Sequence, residues 1–206
     1  MFRAILLGSA LAAAFIAGVL LAPPTADKVL NRAAGVVLFE GMPVPDLSFQ
    51  NQHGAPVDLS SLRGKWVVMF FGYTFCPDVC PMTLMHLSKT WKQLTPDEQS
   101  ALQVVMVSVD PERDTPDSLG PYLNYFNPAF IALTGNQQSL SELALAVNAF
   151  YARVERGEGQ AYLMDHSANI VLLDPAGNYR GYIEPPHQPT RLAPVLQALL
   201  SHASAD

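Results

Sequence analysis

The chain has 206 residues, half of them hydrophobic and 15% charged, with a formal net charge of −6. That length suits one domain plus appendages. The first 26 residues hold one charged side chain, Arg3, and the remainder has no cluster of lysine or arginine; such a surface gives no support for nucleic-acid binding.

Ala4 to Ala22 is a charge-free apolar run behind Arg3, long enough to cross a bilayer. The alternative is a cleaved signal peptide, but Leu20 and Pro23 make a poor cleavage site. An uncleaved anchor is therefore expected over residues 1–24, with the short basic N-terminus on the cytoplasmic side. No cysteine follows the run, which argues against a lipidated N-terminus. Residues 25–40, with Pro23-Pro24 just before them, read as a tether. A globular pattern starts at Gly41, so 41–206 is the expected domain.

Its entry, Gly41 to Phe49, is extended and broken by prolines, and Asn51-Gln52-His53-Gly54 is a turn. Val67 to Phe71 is a continuous apolar run of β-formers, the pattern of a strand covered on both faces. Gly72 ends it. The next stretch, Thr74-Phe75-Cys76-Pro77-Asp78-Val79-Cys80-Pro81, holds both cysteines of the chain. Leu84, Leu87, Trp91 and Leu94 then recur at helical spacing, which predicts a helix whose start carries both thiols. Thr95-Pro96-Asp97-Glu98 is a helix start with proline and acids in the first turn. Val104 to Val109 reads as a second buried strand, and Thr115-Pro116 opens another helix. Phe130 to Leu133 is a short strand. Ser139 and Glu142 have capping-box spacing, ahead of a stripe at Leu140, Leu143, Val147 and Phe150. Ile170 to Leu173, the turn Pro175 to Asn178, and Tyr179 to Ile183 read as a hairpin. Leu192, Val195, Leu196 and Leu199 stripe a closing helix. Alternating strands and helices with a final hairpin predict an α/β, thioredoxin-like fold, a central mixed sheet flanked by helices.

Cys76 and Cys80 stand at i and i+4, one above the other if the segment is helical. Thiols at a helix start feel its positive end, which favours thiolate. The pair can close a disulfide, or hold one metal ion with room for a third ligand. A purely stapling disulfide would close so short a loop that it removes little unfolded-state entropy. Two thiolates and an imidazole suit copper or zinc. Of the histidines, His53 lies in a turn, His86 on the first helix, His187 in a proline-rich loop and His202 near the C-terminus. His166 stands directly before the hairpin strand, where thioredoxin-like oxidoreductases carry a proline. Its plainer role is a loop imidazole capping a backbone group, and spacing alone leaves both open. Met82 and Met85 read as core filling, the alternative being soft ligands near the cysteines. Asp78 and Asp165 read as turn residues or as partners of ligands. Asp110-Pro111-Glu112-Arg113-Asp114 reads as a solvated loop with a local arginine–carboxylate pair. Phe75 is expected to be buried, the alternative being a shield over the site or a partner contact.

Three stretches resemble the Sco/SenC proteins: Phe70 to Pro81, Ser108-Val109-Asp110-Pro111-Glu112-Arg113-Asp114-Thr115, and Asp165-His166-Ser167. Some family members carry a histidine where Phe75 stands. The resemblance implies a membrane-tethered copper chaperone that helps metallate the binuclear copper site of cytochrome c oxidase. It implies Cys76, Cys80 and His166 as copper ligands, with Cys76 and Cys80 also able to form a redox disulfide, and no catalytic residue. The expected partner is the copper-bearing subunit of the oxidase, with a periplasmic copper carrier or thiol reductant as a further one. The expected place is the inner membrane, single-pass, with the domain in the periplasm. The rival functions are a thiol–disulfide oxidoreductase acting on the oxidase cysteines, and a copper or redox sensor.

Overall fold

The computed structural model of the protein describes residues 30, 31 and 35–203. Its elements in chain order are strands β1 (Val36–Pro43), β2 (Ser48–Asn51), β3 (Pro56–Asp58) and β4 (Trp66–Gly72); helices α1 (Val79–Trp91) and α2 (Pro96–Ser100); β5 (Leu102–Ser108), α3 (Pro116–Phe126), β6 (Ile131–Thr134), α4 (Gln137–Ala146), β7 (Tyr151–Val154), β8 (Leu163–His166), β9 (Ile170–Leu173), β10 (Asn178–Ile183) and α5 (Pro189–Ala203). The main sheet runs β1-β10-β9-β4-β5-β6-β2-β3, and β7 and β8 form a separate two-stranded ribbon. β4, β5 and β6 are parallel, whereas β9 lies antiparallel to β4. This is the expected mixed α/β sheet.

The apolar run of β4 is explained by its place near the middle of the sheet: all seven of its residues are buried. Successive side chains point to opposite faces. Val68 and Phe70 join Leu84, Leu87, Leu119, Leu123, Leu192 and Leu196 on one face, under α1, α3 and α5. Val67, Met69 and Phe71 join Leu140, Leu143, Val171 and Leu173 on the other, under α4. Each such side chain withdrawn from water contributes roughly 1.5–3 kcal/mol.

The structure moves several expected boundaries. β1 starts at Val36 and pairs with β10, so the sheet takes in the end of the stretch read as a tether. The box expected from Ser139 and Glu142 is replaced by Asn136, whose side chain accepts the Ser139 N–H; the helix starts three residues earlier than its best-looking cap. Thr95 and Glu98 do form a reciprocal box, although α2 is only five residues long. Phe150 lies past the end of α4 and is 62% exposed, so it is not part of the α4 stripe. Among the described residues no helix is long and apolar enough to cross a membrane; the run at Ala4 to Ala22 lies outside them.

Candidate metal centre

Cys76, Cys80 and His166 converge where the C-terminal end of β4, the start of α1 and the end of β8 meet. One donor atom from each lies within 4.8 Å of the other two. Cys80 Sγ is 3.3 Å from His166 Nε2. The helix begins at Val79, so Cys80 belongs to its first turn while Cys76 sits in the turn before it. The helical stripe after the cysteines predicts both thiols at the start of the helix. The proline-bearing turn places Cys76 outside it, yet the i, i+4 approach survives, because the Cys80 backbone N–H donates to Cys76 Sγ at 3.4 Å. Gly72 makes room for the arrangement: a Cβ there would stand 3.1 Å from Cys80 Sγ and 3.0 Å from the Phe70 ring.

The two thiols are not alike. Cys80 is fully buried and Cys76 half-exposed, and both are free. Cys76 is pulled well below the ordinary thiol range, chiefly by a hydrogen bond from Cys80, with His166 adding to it against a cost of burial. Cys80 is pushed up, first because it donates that bond and then by burial. The expectation of two easily ionised sulfurs is therefore corrected to a thiolate beside a thiol that donates to it.

His166 Nδ1 lies 3.0 Å from the Ser167 carbonyl oxygen. A carbonyl only accepts, so Nδ1 is the donor there; in the neutral imidazole, the form that ligates a metal, this leaves the Nε2 lone pair on the side of the sulfurs. The buried Tyr73 ring meets the imidazole edge-on, with centroids 6.0 Å apart. The cysteine loop is held from below by Asp114, which is wholly buried. Its carboxylate accepts the Thr74 N–H at 3.1 Å, the Thr74 hydroxyl at 2.5 Å and the Ser108 hydroxyl at 2.6 Å. Burial raises its pKa, while these bonds from Ser108 and Thr74 oppose the rise.

The acidic run read as a solvated loop thus has two buried carboxylates, Asp110 and Asp114. The local pair is real: Arg113 Nε donates to Asp110. Phe75 is 57% exposed rather than buried, and Met82 and Met85 are each 41% exposed rather than core filling. Asp165 is exposed, and Asp78 precedes α1 without capping it through its side chain. The other histidines stay apart from the sulfurs. His53 is exposed, His86 is half-buried on α1, and His187 is buried with Nε2 3.1 Å from the Ile183 carbonyl; the His202 side chain lies outside the described residues. Sequence reasoning gave Asp114 and Tyr73 no part in the site. The segment order strand–loop–helix could have suggested Asp114, because a short acidic loop after β5 abuts the loop after β4 in a parallel pair.

Fold and site together define a thioredoxin-like domain with a thiolate–thiol–imidazole centre at the edge of its sheet. The chain belongs to the SCO1/SenC family, whose model matches residues 43–201. It is 36% identical over 176 residues to a putative copper-binding protein of Stutzerimonas stutzeri, covering 85% of this chain and 86% of that one. It superposes on copper-bound ScoI of Bradyrhizobium japonicum with a TM-score of 0.68 at 32% identity, covering 75% of this chain and 97% of that one. BsSco, a Sco-family cytochrome c oxidase assembly protein in which a disulfide switch was identified, matches with a TM-score of 0.58 at 25% identity, over 78% and 96% of the two chains. The chain spans about half the length of the mammalian relatives it matches.

Proposed function

We propose that this protein is a copper chaperone that binds copper through Cys76 Sγ, Cys80 Sγ and His166 Nε2 and serves assembly of the binuclear copper centre of cytochrome c oxidase. The observation that carries the reading is the convergence of the three donor atoms within 4.8 Å, with His166 Nε2 3.3 Å from Cys80 Sγ. Soft sulfur donors with one imidazole suit Cu(I) in a three-coordinate site, and Cu(II) when a further ligand joins. Copper must displace the Cys80 proton, so loading releases a proton. The receiving partner in this reading is the copper-bearing oxidase subunit. The chain is held by an anchor in residues 1–24 and a tether after it, with the domain on the periplasmic side of the inner membrane; membrane fractionation of the full chain checks that placement.

A second reading has support of its own. A thiolate beside a protonated thiol is the arrangement of a dithiol reductant, and BsSco carries a disulfide switch. His166→Ala separates the two. The thiols remain, so disulfide formation persists, while copper binding weakens by more than the ~10–100-fold that loss of a ligand's supporting partner costs. Copper stoichiometry and oxidase assembly are measured in the same variant. Loss of both supports delivery. Loss of copper with normal assembly replaces delivery with thiol reduction.

A further inference from the structure

The three donor atoms come from two segments that are not joined by main-sheet pairing, because among the described residues β8 pairs only with β7. Arg113, in the loop after β5, lies between those segments. Its guanidinium carbon is 4.8 Å from the centroid of the Phe75 ring and 5.9 Å from that of Tyr73, on the cysteine side. On the histidine side it lies 3.6 Å over the Tyr162 ring, and Nη1 donates to the Tyr162 carbonyl at 3.1 Å, one residue before β8 begins. Nε pairs with the buried Asp110 carboxylate, which itself accepts the Tyr162 hydroxyl at 2.7 Å. Nη2 is buried and has no hydrogen-bond partner.

A guanidinium is planar, so it can stack on rings and donate in its own plane at once, which an ammonium cannot do. Leaving both N–H bonds of a buried guanidinium nitrogen unpaired costs free energy. The contacts that Arg113 does make reach two segments that main-sheet pairing does not join. We propose that Arg113 is a positioning residue for the metal centre, setting the distance between the cysteine loop and His166 so that the imidazole stands within reach of the sulfurs before copper arrives. This rests on the copper reading above.

The test is a double-mutant cycle on the full chain: parent, Arg113→Lys, His166→Ala and the double variant. Cu(I) affinity is read by competition with a chromophoric Cu(I) chelator, and the Cu(II) complexes by electron paramagnetic resonance. Arg113→Lys is expected to weaken Cu(I) binding about 10–100-fold, the range for partners that orient a ligand. In the His166→Ala background the same change is expected to cost less than about twofold, since the distance it sets no longer matters. The Cu(II) spectrum of Arg113→Lys should contain a second species matching that of His166→Ala. An equal cost of Arg113→Lys in both backgrounds, or no cost in either, overturns the proposal and leaves the copper reading standing. A His166→Ala protein that binds copper like the parent overturns both. If Arg113→Lys does not fold, Tyr162→Leu, which removes the stacked ring and keeps the carbonyl, runs through the same cycle with the same criteria.

Discussion

The thiolate–thiol pair predicts one-sided alkylation of the reduced, metal-free protein. Cys76 is pulled down to about 4 against an ordinary 9.0. At pH 6 an ordinary thiol is ionised to only ~0.1%, whereas Cys76 is almost wholly thiolate, a gain of about three powers of ten. Low-pKa thiolates are weaker nucleophiles, and a Brønsted slope of about 0.4–0.5 over some five pK units takes back roughly 2–2.5 powers. Cys76 should therefore react with iodoacetamide only ~3–10 times faster than an exposed model thiol at pH 6. Its rate should stay flat from about pH 5.5 to 8, where the model thiol climbs tenfold per pH unit. Cys80, buried and protonated, should stay unmodified until the fold opens. Peptide mass spectrometry of timed samples reads both sites at once. Because the bond from Cys80 is the largest cause of the depression, Cys80→Ala should move the Cys76 profile to higher pH. Equal labelling of the two cysteines, or a Cys76 rate that inflects near pH 8–9 in the parent, would refute the reasoning.

Two other expectations concern the scaffold. Burial, with Arg191 and His86 adding to it, holds His187 below its ordinary 6.5 against the pull of the Ile183 carbonyl. The unfolded chain then takes up a proton that the folded one resists, so this contribution to stability is present above about pH 6.5 and is lost as the pH falls toward the folded value. His187→Gln should lose less stability than the parent between pH 7.5 and 5.5, measured as urea midpoints. At Gly181, with φ 155°, a Cβ would lie 2.1 Å from the Val37 carbonyl oxygen. Gly181→Ala should break the β1–β10 pairing and cost at least about 1–3 kcal/mol in denaturant unfolding.

What the sequence made legible follows from how local each cause is. β4 announces itself because burial on both faces leaves an uninterrupted apolar run, and α1 because its stripe repeats every turn. The β7–β8 ribbon has no such signature: its residues are mostly half-buried or exposed, with little apolar alternation. Asp114 looked solvated because its partners, Thr74 and Ser108, lie on other elements, Thr74 forty residues away. Three residues misplaced the start of α4 because Asn136 and Ser139 are both good caps, and only the fold chooses between them. The residues that converge, Cys76, Cys80 and His166, were legible through their motifs. The asymmetry of the two thiols was not, because it comes from the bond between them and from their different depths, and both of these are set by the fold.

The placing of β4 and the ribbon gives the centre a gradient of rigidity. Cys80 leans on a strand with neighbours on both sides and every residue buried, the kind of segment whose amides exchange with solvent only when the whole domain unfolds. His166 ends a ribbon whose strands, among the described residues, pair with each other alone, the kind that opens at a fraction of that free energy. An ion held between them would lose its nitrogen donor first, in a local fluctuation that leaves the sulfurs in place. Release would then be a matter of fraying at one end of the cradle, with the fold beneath it intact and ready to reload.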